Sequence, residues 1–156
     1  MRAITVRQPW AWAIMHGGKD VENRSRNIAG KYRGLVAITA SAKHRDDAEY
    51  VKGSLAKMAA CGLPRRSDIT DPSTFLSLGG STLYVGAVLG VVELVDAHPA
   101  WWDFPDGCSE WAEYANGHHL MLANPRPLLT PIPVRGWLGL WTLPDDVAAQ
   151  VEEALR

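Results

Sequence analysis

The stretch from Leu83 to Val95 (Leu-Tyr-Val-Gly-Ala-Val-Leu-Gly-Val-Val-Glu-Leu-Val) most narrows what this chain can fold into. Val, Leu and Tyr fit a pleated, buried surface better than a helix. Gly86 and Gly90 would weaken a helix, and in a strand they mark bulges or sharp bends. A long strand bent at two points curls the sheet it belongs to, as a small barrel requires. The uncharged part, Leu83 to Val92, is about half of the ~20 residues a membrane-crossing helix needs.

Other segments fit around that strand. Ile4 and Val6 alternate with polar neighbours, which predicts a short strand. Pro9 fits the first position of a helix, where its missing N–H is no loss. Trp10, Ala11, Ala13, Ile14 and Met15 continue that helix to Gly17-Gly18, a natural stop. Gly34 leads into a buried strand, Leu35-Val36-Ala37-Ile38. Asp46 and Asp47 open a helix with Val51, Leu55 and Met58 on one side, ended by Gly62 and Pro64. Residues 64–80 read as a loop. His118 to Leu122 is a strand candidate interrupted by Asn124-Pro125-Arg126-Pro127. Pro131-Ile132-Pro133-Val134 fits only an edge or irregular strand. Trp137 to Leu143 is the last strand, and Pro144 opens a helix over about 145–155. The pattern is α+β: a small mixed β-barrel with flanking helices.

The chain has 156 residues, 47% of them hydrophobic. That predicts one domain over 1–156 and excludes a disordered chain. No signal peptide is read at the start, and two cysteines are too few for a disulfide scaffold, so a reducing cytoplasm is expected. The net charge of −1 conceals a split. Residues 1–66 carry 13 basic and five acidic side chains, net +8, and residues 67–156 carry three and 12, net −9. Such asymmetry points to an anionic partner, or to two halves that neutralise each other.

The chemistry-bearing stretch is Ile4-Thr5-Val6-Arg7-Gln8-Pro9-Trp10 followed by Gly17-Gly18-Lys19-Asp20-Val21-Glu22-Asn23-Arg24. Its second half reads G-x-K-x-x-E-x-R. On an extended chain Glu22 and Arg24 share a face, and Lys19 starts on the opposite one unless the turn corrects it. The chain resembles the ASCH family (activating signal cointegrator homology), within the PUA-like superfamily. Gly17, Lys19, Glu22 and Arg24 match that family's signature. Tyr32-Arg33-Gly34, the ending Pro131 to Gly136, and Gly139-Leu140-Trp141 are also similar, so the resemblance runs from Ile4 to about Leu143. Arg26 departs from it where many members carry an aromatic, and Thr39-Ala40 departs where many carry His-Ala.

The resemblance implies a PUA-like barrel with a cleft beside the first helix, lined by the signature and used for RNA or another nucleic acid. Lys19 and Arg24 are then phosphate contacts, and Glu22 accepts from a base amino group or serves as a general base. A plain Glu22 salt bridge to Lys19 or Arg24 is the alternative. Arg7, Gln8, Trp10, Arg26, Lys43 and Arg45 extend the expected nucleic-acid surface, and Lys31, Arg33 and His44 are further candidates on it. Of Trp10 and Trp12, two apart on a helix, one is expected in the core and one in the cleft. Some members of the family cleave RNA and one hydrolyses acetylated cytidine, so Lys19, Glu22, Ser41 and Lys43 are the candidates if the chain is an enzyme. A non-catalytic interaction module is a third reading. Residues 96–114, aromatic and acidic, read as a segment that buries its tryptophans. No metal site is expected from spacing, because His118 and His119 are adjacent and Cys108 lacks a partner cysteine, and Asp96-Ala97-His98 is only a loose alternative. No cofactor is expected, except a divalent metal if the chain is a nuclease. Oligomeric state is not legible.

Overall fold

The computed structural model describes residues 1–42, 53, 84–103, 108–113 and 117–156. The expected helix from Asp46, the loop over 64–80, and Lys43, His44 and Arg45 lie outside these residues.

The strands are β1 (Arg2–Val6), β2 (Val21–Arg24), β3 (Gly34–Ala40), β4 (Ala87–Pro99), β5 (His118–Pro133) and β6 (Leu140–Thr142). Helices α1 (Trp10–His16) and α2 (Asp145–Ala154) flank the sheet, and Ala100–Asp103 form a short 3-10 turn after β4. One six-stranded sheet has the order β2-β5-β4-β3-β1-β6. β1 and β3 run parallel and the other pairs are antiparallel, so the sheet is mixed. It curls into a half-barrel, and the α+β class expected from sequence holds.

Alternation along the strands sorts the core into two layers. Ile4, Val6, Val36, Ile38 and Leu94 point to the side covered by α1, with Ile14 and Met15. Ala3, Ala37, Val88 and Val91 point to the side covered by α2, with Val147 and Val151. Both faces of β3 are covered, which explains its unbroken apolar run.

The glycines of the long strand act where expected. Gly86 has φ +62 just before β4, and the β4–β5 register shifts between Val88 and Gly90. A Cβ on Gly90 would stand 2.5 Å from both the Arg126 carbonyl oxygen and Met15 Sδ, so this glycine lets α1 and β5 close onto β4.

Four details differ from the sequence reading. Asn124 to Pro127 does not interrupt a strand: β5 runs unbroken through it, with Asn124 at φ +50. β2 pairs only with residues 118–121, so the prolines beyond lie on an open edge, where a missing N–H is tolerated. β4 starts and ends four residues later than Leu83 to Val95. Only Leu140–Thr142 of the last segment pairs as a strand. Pro9 caps α1 from just outside instead of occupying its first turn.

Candidate functional site

α1 ends at Gly17, whose N–H bonds to the Ala13 carbonyl. Gly18 takes φ +70, a left-handed value that suits glycine. The chain thereby swings round so that the Lys19 N–H also bonds to Ala13 O, at 3.0 Å. This is the turn that was needed: it carries Lys19 to the same pocket as Glu22.

That pocket encloses about 110 Å³ and is lined by Trp10, Lys19, Glu22, Asn23, Trp111 and Glu113. Trp10 and Trp111 meet edge to face, centroids 6.3 Å apart. Lys19 Nζ sits 5.8 Å from one ring centroid and 5.6 Å from the other, and donates to the Val21 carbonyl. Lys19 is only 5% exposed and Glu22 only 8%. The lysine is therefore a largely buried cation beside two indole rings, on the wall of the pocket. Cation–π attraction of this kind is worth ~0.5–2 kcal/mol, most where water is excluded.

Glu22 and Arg24 share a strand face and pair at 3.1 Å. Arg24 also donates to the Thr5 carbonyl at 2.7 Å, which anchors β2 to β1. The signature thus supplies both a structural ion pair and a pocket wall.

A second, wider cleft of about 730 Å³ adjoins the pocket, and Trp10, Glu22 and Asn23 belong to both. Arg7, Arg24 and Arg135 bring positive charge to it. Arg135 stands 5.0 Å from the ring centroid of Trp137, which is 57% exposed. This strap crosses β1 closely: a Cβ on Gly136 would fall 2.6 Å from Thr5 Oγ1. Beneath it the Trp141 indole donates to the Thr5 hydroxyl, which lies 3.0 Å from the buried Thr39 hydroxyl. Thr39, one of the positions departing from the family pattern, is thus part of the cleft floor's polar support.

Of the expected site residues, Arg7, Trp10, Lys19, Glu22, Arg24 and Ser41 line the pocket or the cleft. Gln8 does not. It is 2% exposed, donates to the Tyr84 carbonyl and accepts the Trp12 N–H, so it ties α1 to the approach to β4. Arg26 is exposed and lines neither cavity. Arg33 is held by Asp96 at 3.1 Å and by the Tyr32 carbonyl, a link between the basic and acidic halves. Hydrogen bonding from His98, then from the Ala97 backbone and Arg33, holds the Asp96 carboxyl below its ordinary range against partial desolvation. Trp10 is the cleft tryptophan, whereas Trp12 packs beside His16, whose pKa burial lowers.

Asn23, Trp111, Glu113, Arg135 and Trp137 were missed as site residues. Asn23 donates to the Trp111 carbonyl at 2.9 Å and accepts the Glu113 N–H at 3.0 Å, so one side chain fastens the far pocket wall to β2. Trp111 is buried, as expected for residues 96–114, while Trp101 in the same segment is 69% exposed. Only the "x" positions of the signature and the Arg-Gly-Trp run near the C-terminal end offered a signal for these.

Crystal structures of ASCH from Zymomonas mobilis superpose on this chain. A point mutant matches with TM-score 0.55 at 15% identity, covering 97% of this chain and 96% of that one. The protein described simply as ASCH matches with TM-score 0.51 at 14% identity, covering 97% and 93%. The chain has the ASCH fold. Human activating signal cointegrator 1 is 25% identical over 153 residues, 97% of this chain. The ASCH-fold chain spans about a quarter (24%) of the length of that relative. No protein-family model matches the chain. Among the described residues, no helix is long and apolar enough to cross a membrane.

Proposed function

We propose that this ASCH-fold domain binds single-stranded RNA, with one unstacked base in the Lys19 pocket and the adjoining phosphates along the arginine-bearing cleft. The observation that carries this reading is the wall shared by the two cavities: Trp10, Glu22 and Asn23 face both. A flat ring can stack on one indole while the other indole meets its edge, a contact worth ~1–3 kcal/mol per base. Glu22 is placed to accept from an exocyclic amino group, as carboxylates do from cytosine N4. Arg7 and Arg135 are exposed and suit phosphate. A pocket of about 110 Å³ takes a base edge only once the base has left its stack, so duplex competes poorly. The overall charge of −1 favours local, selective binding over bulk adhesion to polyanions.

The test is fluorescence anisotropy with a labelled single-stranded RNA and its duplex. Binding of the single strand that weakens in Trp137→Ala and Arg135→Ala, at unchanged melting temperature, supports the reading. No binding, or equal binding by both variants, overturns it.

A hydrolase reading draws on one observation, the confinement of Lys19 and Glu22 in one pocket, where a cation and a general base serve RNA cleavage or amide hydrolysis. Ser41 lines the wide cleft together with Glu22, and Lys19 lines only the small pocket, so Glu22 stands between the two; Lys43 lies outside the described residues. Turnover of RNA or acetylated cytidine, lost in Glu22→Gln, would favour it.

A further inference from the structure

His98 near the end of β4 and His119 near the start of β5 are direct cross-strand partners. Their rings meet edge to face at 5.5 Å. Cys108 lies against them, its Sγ 3.2 Å from His119 Nδ1. One ligand atom from each of the three falls within 4.8 Å of the other two. Both histidines are buried, 7% and 1% exposed.

The outer partners of the rings set which nitrogen carries a lone pair. His119 Nε2 is 3.0 Å from the Glu113 carbonyl oxygen, which can only accept, so Nε2 carries the proton and Nδ1 turns its lone pair to the sulfur. His98 Nδ1 is 2.8 Å from an Asp96 carboxylate oxygen, so its proton sits on Nδ1 and its lone pair on Nε2. An imidazole whose other nitrogen donates to a carboxylate or a backbone carbonyl is the usual form of a metal-bound histidine.

We infer that His98, Cys108 and His119 form a zinc site, with His98 Nε2, Cys108 Sγ and His119 Nδ1 as ligands. One thiolate and two imidazoles are the donor set that zinc takes, at bond lengths of about 2.0–2.3 Å in tetrahedral geometry. Three ligands from the described residues leave a fourth position for water. On binding, the Cys108 S–H proton is released to solvent and a sulfur–zinc bond replaces it. Two adjacent histidines and a solitary cysteine gave no spacing signal, because the set is assembled by cross-strand register and not by chain order. The ion would tie β4 and β5 to the segment that carries Trp111 and Glu113, and so stiffen the pocket wall that Asn23 holds from the other side.

The test is titration of chelator-treated full chain with cobalt(II), followed by competition with zinc. The expected result is about one cobalt per chain with a thiolate-to-cobalt charge-transfer band, displaced by zinc. The band should vanish in Cys108→Ser, and affinity should fall about 10–100-fold in Asp96→Asn, which keeps all three ligands but removes the carboxylate behind His98, and with it the Arg33 ion pair. Far-UV circular dichroism confirms that both variants are folded. No thiolate band at excess cobalt, or an unchanged band in Cys108→Ser, overturns the site. The readout needs no nucleic acid, so it stands or falls separately from RNA binding.

Discussion

Replacing Asn23 by Ala tests how the pocket is built. The amide makes two hydrogen bonds, 2.9 Å to the Trp111 carbonyl and 3.0 Å from the Glu113 N–H. A typical intramolecular hydrogen bond contributes ~0.5–1.5 kcal/mol net, so losing both should destabilise by about 1–3 kcal/mol. Glu113 is exposed and its N–H regains water, whereas Trp111 is only 5% exposed, so the larger share falls on the Trp111 carbonyl. At ~2–4 °C per kcal/mol for a chain of this size, the melting temperature should fall by roughly 2–12 °C. Asn23→Asp keeps an acceptor for Glu113 but aims a carboxylate at the Trp111 carbonyl, so it should not rescue. The assay is thermal and urea unfolding by circular dichroism, with indole fluorescence, to which Trp10 and Trp111 contribute among the seven tryptophans. Loss of less than ~0.5 kcal/mol, the range of ordinary surface substitutions, with unchanged fluorescence, would refute the reasoning that this side chain holds the wall.

Gly90→Ala should destabilise by about 1–3 kcal/mol, the usual range for overpacking, because its Cβ would meet the Arg126 carbonyl oxygen and Met15 Sδ at 2.5 Å; denaturant unfolding checks this. Arg24→Ala should lower both RNA affinity and melting temperature, since it breaks the Glu22 pair and the Thr5 anchor together, whereas Arg7→Ala should lower affinity alone. Asp96 has its carboxyl pKa lowered in the folded state, chiefly by His98. Its contribution is therefore present above the ordinary carboxylate pKa of 3.8 and lost as pH falls through the lower folded value. Asp96→Asn should flatten the acid limb of the stability profile below about pH 4, modestly because the group is half exposed.

Local patterning determined a good part of this protein. The curling of the sheet was legible from Gly86 and Gly90 in an apolar run, because a missing Cβ has local consequences. So was the end of α1 at Gly17-Gly18, and with it the turn that presents Lys19. The signature residues lie within one turn and one strand, so their common destination could be read along the chain. Tertiary structure alone decided the rest. Lys19 became a buried cation because Trp111, ninety-two positions later, closes over it. Gln8 went to the core because Tyr84 offers it a carbonyl there. β5 ran through four prolines because β2 is too short to require their N–H groups. His98, Cys108 and His119 met because register sets two of them opposite each other and Cys108, distant from both in the chain, lies against them. Periodicity reports which face of an element is buried; which distant side chains meet there depends on register and loop paths that no single segment encodes.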